Sequence, residues 1–142
     1  MRHALLSLAF LICVIPGVLA EGIRFRPVDV VIDTGAEPLA AYQFELSYDR
    51  ESVKLVGIEG GEGPFNPAPY YDPRGMEAGR VMIAAFTTKA NPPAGRIRIA
   101  RIHLAYEGEA PPVLDGRLVL AAAVGGMRID AALELVFSTG GE

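Results

Sequence analysis

The chain has 142 residues, of which 51% are hydrophobic, and a formal net charge of −4 at pH 7. The acidic balance and the lack of a basic run exclude nucleic acid as an expected partner. Beyond residue 20 the sequence has one histidine and no cysteine, so we predict no disulfide, no metal site and no cofactor.

The first 20 residues have the layout of a secretory signal peptide. Arg2 and His3 precede a mostly apolar run, and Val18 and Ala20 occupy the −3 and −1 positions of a cleavage site. The apolar run is shorter than the roughly 20 residues of a membrane-spanning helix. We therefore predict a signal peptide over residues 1–20. Residues 21–142 are predicted to form one exported domain, periplasmic or extracellular, without a membrane span.

Alternating side chains predict two strands near the start of this domain. In the first strand, Val28, Val30 and Ile32 share one face. The second strand, Leu39–Tyr48, has the clearest alternation, which is typical of a sheet with one buried and one solvated face. Its predicted buried face carries Tyr42, Phe44, Leu46 and Tyr48, and its predicted solvated face carries Ala41, Gln43, Glu45 and Ser47.

The middle of the chain combines one long connection with two strands. Val53–Ile58 is predicted as a strand, and Gly60–Gly79 as a Gly- and Pro-rich connection, of a length that is often functional or flexible. Arg80–Thr88 is apolar on both faces, since Val81 and Ile83 alternate with Met82 and Phe86. This pattern predicts a central strand that is covered on both sides.

The apolar residues of Arg96–Tyr106 change parity partway along the strand. Ile97 and Ile99 share one face, whereas Ile102 and Leu104 belong to the other, so we predict a β-bulge near Ala100-Arg101. Two further strands, Arg117–Val124 and Ala131–Phe137, bring the total to seven or eight. The sequence therefore predicts an all-β fold, a two-sheet antiparallel sandwich of jelly-roll type.

No catalytic residue is predicted, and the chain is interpreted as a binding module rather than an enzyme. His103 differs in parity from its apolar neighbours and is expected to face outward on a strand. No serine lies in a nucleophile-elbow motif. Paired carboxylates hydrolyse glycosides only at a defined separation, which sequence alone does not provide. The available acidic residues are Glu45, Asp49, Glu51, Asp72, Glu107 and Glu109.

Three aromatic residues in the long connection have two interpretations. In one interpretation Phe65, Tyr70 and Tyr71 stack on sugar rings, as a carbohydrate-binding module requires; in the other they anchor the connection to the sandwich. The sequence contains no Trp, the largest aromatic platform, and this favours the anchoring interpretation.

One segment carries a family resemblance. Ala40–Gly61, with the sequence AAYQFELSYDRESVKLVGIEGG, resembles the cohesin domain family, in which an alternating strand ends in Tyr-Asp and a short turn leads to a Val/Leu strand and a Gly. The later segment GRIRIARIHLAYEGE and the opening VDVVID are similar to further strands of that family. The resemblance covers most of residues 28–137.

The resemblance implies a nine-stranded jelly-roll sandwich that docks a calcium-loaded dockerin-like module of another exported protein, in the context of polysaccharide degradation. The partner would pack on one sheet face, which by resemblance includes Ala41, Gln43, Glu45 and Ser47. The alternative function is a carbohydrate-binding module that contacts polysaccharide directly through Phe65, Tyr70 and Tyr71.

Overall fold

Two four-stranded antiparallel sheets enclose one hydrophobic core in the computed structural model, which describes residues 22–139. The predicted signal peptide lies outside these residues. The strands are β1 (Ile23–Asp33), β2 (Ala41–Tyr48), β3 (Val53–Gly60), β4 (Tyr70–Tyr71), β5 (Arg80–Phe86), β6 (Arg96–Glu107), β7 (Leu114–Ala122) and β8 (Ala132–Phe137).

Sheet 1 has the strand order β3-β6-β1-β8, and sheet 2 has the order β4-β5-β2-β7. The prediction of an all-β jelly-roll sandwich is confirmed. Between residues 22 and 139 there are eight strands, which agrees with the predicted seven or eight and is one fewer than the resemblance implies. No helix in this range is long and apolar enough to cross a membrane.

The inner face of β2 forms the centre of the core. Tyr42, Phe44 and Leu46 are almost fully buried, as their alternation predicts. The Tyr42 hydroxyl donates a hydrogen bond of 3.3 Å to the carbonyl of Ile99 in sheet 1. A buried hydroxyl that finds a partner avoids the cost of an unsatisfied polar group, so this bond ties the two sheets together without a penalty.

The predicted bulge in β6 is confirmed. Val30 of β1 pairs with Ala100, but the next residue, Val31, pairs with Arg98, so Ile99 is the extra residue. Ile99 and Ala100 are both buried although they are adjacent. An extra residue reverses the parity of the strand, so apolar side chains on both sides of the bulge point into the core.

The long connection after β3 is more ordered than the sequence predicts. It contains a 3-10 turn (Gly63–Phe65), β4 and the short helix α1 (Pro73–Ala78). The Asp72 carboxylate accepts a hydrogen bond from the Arg74 amide at the start of α1, and Gly79 ends the helix with a φ of 78°. The capped helix lies against β5, and β4 pairs with β5 at the edge of sheet 2.

The prediction that the fifth strand is covered on both faces is wrong. Val81 and Ile83 are buried, but Met82 and Phe86 are 38% and 63% exposed. The reason is that β5 belongs to one of only two layers in the described range, so its second face points to solvent. The second apolar face is therefore a surface feature.

We expect Phe44→Ala to lower the free energy of unfolding by about 3–5 kcal/mol, because truncating a fully buried aromatic side chain leaves a cavity. The adjacent variant Gln43→Ala, whose side chain faces outward, serves as the control and should change it by less than about 1 kcal/mol. Denaturant-induced unfolding measures both. Equal losses for the two variants would contradict the assignment of faces in β2.

Candidate docking surface

The outer face of sheet 2 combines alternate residues from all four of its strands. The register places Gln43 of β2 between Ala84 and Leu120, and Glu45 between Met82 and Arg117. We call this surface the docking face; it consists of Ala41, Gln43, Glu45, Ser47, Tyr70, Arg80, Met82, Ala84, Phe86, Asp115, Arg117, Leu120 and Ala122.

The four residues predicted to contact a partner lie together on the docking face. Gln43 and Ser47 are half-buried and accessible from outside, and Ala41 contributes a small side chain. Glu45 differs, because its side chain is only 11% exposed. The alternation therefore places all four residues on the outward face of the strand, as the structure does, but it does not reveal that Glu45 is covered.

Two arginines cover the Glu45 carboxylate. Arg80 of β5 lies with Nη2 2.8 Å from Glu45 Oε2, and Arg117 of β7 lies with Nη2 3.5 Å from Oε1. A largely buried carboxylate needs such partners, because losing water without gaining ion pairs is costly. The hydrogen bond from Arg80 lowers the pKa of Glu45, and this effect outweighs the opposing effect of desolvation.

The docking face divides into a charged half and an apolar half. Ion pairs occupy the end where Glu45 and Ser47 meet Arg80 and Arg117. Towards the other end of β2, the register aligns Ala41 with Phe86 on one side and with an alanine of β7 on the other. Charged groups and apolar surface therefore lie side by side on one sheet.

Two exposed aromatic rings dominate the apolar half. Tyr70 is 71% exposed and Phe86 is 63% exposed. Their ring centroids are 6.4 Å apart and their planes differ by 9°. Rings of this size supply large contact areas with little conformational freedom to lose, which makes them suited to recognition.

A shallow open groove of about 410 Å³ continues the apolar half beyond Phe86. Ala41 and Ala122 line it where the sheet ends, and Val124 lines it where the β7–β8 loop begins. Val124 is 68% exposed. The apolar surface thus extends from the sheet onto the neighbouring loop.

The three aromatic residues of the alternative prediction separate in the structure. Phe65 is 2% exposed and packs edge-on against Tyr42, so its ring is not accessible to a ligand. The prediction that Phe65 contacts a carbohydrate is therefore corrected: this residue belongs to the core. Tyr71 is half-buried against the core. Tyr70 alone of the three presents its ring to solvent, where it lies beside Phe86.

Two of the acidic residues considered for catalysis, Glu51 and Glu107, line one open groove beside sheet 1. His103 faces outward, as predicted, on sheet 1, where its Nε2 lies 2.8 Å from Glu59 Oε2. No group of three or more His, Cys, Asp or Glu side chains in this range has a geometry that would hold a metal ion. Glu45, the one predicted acid on the docking face, is held between arginines.

Sequence reasoning missed most of the side chains that β5 and β7 contribute to this surface, among them Arg80, Arg117, Met82 and Phe86. The apolar second face of β5 is a signal for Met82 and Phe86 in the sequence, but the same pattern predicts a strand covered on both faces. No comparable signal marked the arginines, because their positions depend on pairing between strands that are distant in sequence.

Comparison with known proteins identifies the fold. No family model matches the sequence, and no curated protein does either. The cohesin CaCohA2, in its complex with a variant of CaDoc0917, superposes with a TM-score of 0.60 at 16% identity, over 82% of this chain and 90% of that chain.

Two more solved structures are similar. The seventh ScaB type I cohesin from Pseudobacteroides cellulosolvens has a TM-score of 0.57 at 10% identity, over 83% of this chain and 84% of its own. The cohesin in the Coh-OlpA–Doc918 complex from Clostridium thermocellum has a TM-score of 0.54 at 10% identity, over 72% and 91%. The chain therefore has a cohesin-like fold, as the resemblance predicted.

The environment of Glu45 predicts a pH-dependent contribution to stability. Its pKa in the folded state lies below the unfolded value of about 4.3, so the ionised carboxylate stabilises the fold above that value. This contribution is lost as the pH falls through the folded pKa. The stability advantage of the wild type over Glu45→Gln should therefore be largest above about pH 5 and shrink as the pH falls below the unfolded value of about 4.3.

Urea unfolding midpoints across this pH range measure the difference. Glu37→Gln, at an exposed glutamate in the turn after β1, is the matched control and should follow the wild type. A difference between the wild type and Glu45→Gln that does not change with pH would contradict the role of the two arginines.

Proposed function

We propose that this chain is an exported, non-catalytic binding module that docks a dockerin-like module of another exported protein through the docking face. Export rests on the predicted signal peptide, and a context of polysaccharide degradation rests on the family resemblance. Two of the similar structures are complexes, of CaCohA2 with CaDoc0917 and of a type I cohesin with Doc918. That likeness supports a partner of the same kind.

The observation that carries this proposal is the exposed combination of aromatic and arginine side chains on one sheet. Tyr70 and Phe86 project from the docking face and are more than half exposed. The side chains of Arg80 and Arg117 are also more than half exposed. Tyr and Arg are enriched among the residues that dominate the energy of protein interfaces. Exposed aromatic and apolar side chains grouped in this way are typical of interaction sites.

Binding to a panel of calcium-loaded dockerin modules tests the proposal, with modules from the same genome included beside CaDoc0917 and Doc918. We expect at least one to bind the wild type, and Phe86→Ala to weaken that binding by about 30-fold, the effect of losing an interface anchor worth about 2 kcal/mol. Isothermal titration calorimetry measures both affinities.

Phe25→Ala is the matched control. Phe25 is 74% exposed and lies on the outer face of sheet 1, so its loss should leave the affinity unchanged. Failure of every module to bind would contradict the proposed function. Equal weakening by Phe25→Ala and Phe86→Ala would contradict the position of the docking face.

A second candidate function is direct binding of polysaccharide, which the nearly parallel and exposed rings of Tyr70 and Phe86 favour. Such rings offer an apolar face for stacking, and the Tyr70 hydroxyl adds a polar group. Phe65 and Tyr71 no longer belong to this candidate site, because their rings pack against the core.

Affinity electrophoresis on a panel of soluble polysaccharides tests this second function. We expect retarded migration of the wild type that disappears in Tyr70→Ala, because the stacking surface is halved, and persists in Phe25→Ala. If no polysaccharide retards the wild type, or if both variants change its migration equally, this second function is eliminated.

A further inference from the structure

The centre of the charged half carries more positive than negative charge. Arg80 and Arg117 share the single carboxylate of Glu45, which leaves one net positive charge on this cluster. The surplus stands out because the chain as a whole has a formal net charge of −4. An approaching partner therefore meets a positive cluster at this point, on a chain whose formal net charge is negative.

Glu45 is poorly placed to contact a partner, whereas the arginines are well placed. The Glu45 side chain is 11% exposed, and the side chains of Arg80 and Arg117 are 68% and 61% exposed. Each guanidinium has five N–H donors, and one nitrogen of each contacts Glu45. Within residues 22–139 the two guanidinium groups form ion pairs with Glu45 alone, so their other donors are available to a second carboxylate.

The register limits where that second carboxylate can lie. Asp115, the remaining charged residue of the docking face, lies across Ser47 from Arg80, about 10 Å away by the spacing of strands. An acidic group above Ser47 would approach Asp115, so the favourable position is above the row formed by Met82, Glu45 and Arg117.

We propose that Arg80 and Arg117 recognise a carboxylate side chain on the docked module, and that Glu45 is a positioning residue that orients them. The proposal rests on the proposed function and specifies the sign of the partner's charge. The partner supplies an Asp or Glu beside the apolar surface that meets Phe86. Arginine suits this task because its planar group binds carboxylates through paired hydrogen bonds.

A partner with a positive charge at this contact would respond to the same substitutions in the opposite direction. If the partner instead placed a lysine or arginine on Glu45, removing the Glu45 charge would weaken binding and reversing the Arg117 charge would strengthen it. With a carboxylate on the partner, removing the Glu45 charge should strengthen binding and reversing the Arg117 charge should weaken it. The reason is that complementary charge speeds association and like charge slows it. The direction of each change therefore decides between the two.

The experiment measures association and dissociation of the bound dockerin module by surface plasmon resonance at ionic strengths of about 0.01 M and 0.15 M. We expect Arg117→Glu to weaken binding at least 10-fold and Glu45→Gln to raise the association rate several-fold at the lower ionic strength. Glu45→Gln keeps a side-chain oxygen that can accept from the arginines, so orientation is largely retained while the negative charge is removed.

Arg96→Glu is the matched control, because Arg96 is a strand arginine on sheet 1 that pairs with Glu134 at 2.6 Å. It should change affinity by less than about 2-fold. Thermal unfolding of each variant checks that it is folded. Binding that Arg117→Glu leaves intact or strengthens would overturn the carboxylate contact while the proposed function stands. Absence of binding by the wild type to every module would overturn both.

Discussion

Alternation along β2 determines how the rest of the structure is arranged. Tyr42, Phe44 and Leu46 are buried between the sheets, and the Tyr42 hydroxyl reaches the carbonyl of the bulge residue Ile99 in sheet 1. Because successive side chains of a strand point to opposite faces, burial of these three residues forces Glu45 outward. A shift of one residue would expose the core and bury the polar face, so the register is strongly specified.

The outward position of Glu45 has consequences for both neighbouring strands. A carboxylate at 11% exposure is tolerated only with charged partners, and β5 and β7 each supply one arginine. The same two strands carry apolar side chains at their other ends, where Phe86 joins Tyr70. One sheet therefore presents a fixed ionic cluster beside an exposed aromatic pair, which is a combination suited to recognising another protein.

The sequence predicts those parts of this surface that depend on neighbouring residues, and not those that depend on pairing between strands distant in sequence. Period-two alternation assigned both faces of β2, and a parity change located the bulge in β6, because both are local patterns. The exposure of Phe86 was not predictable from the same rule, since an apolar second face is equally compatible with a covering layer. The pairing of Arg117 with Glu45 spans 72 residues, so it appears only when strand order is known.

The central claim is that the outer face of sheet 2 meets the partner. Amide chemical shifts of the isotopically labelled chain, followed by NMR during titration with a calcium-loaded dockerin module that binds, test it most directly. We expect the large shifts to fall in β2, β5 and β7, around Gln43, Ala84 and Arg117. Shifts concentrated instead around Asp29 and His103, on the outer face of sheet 1, would contradict the account.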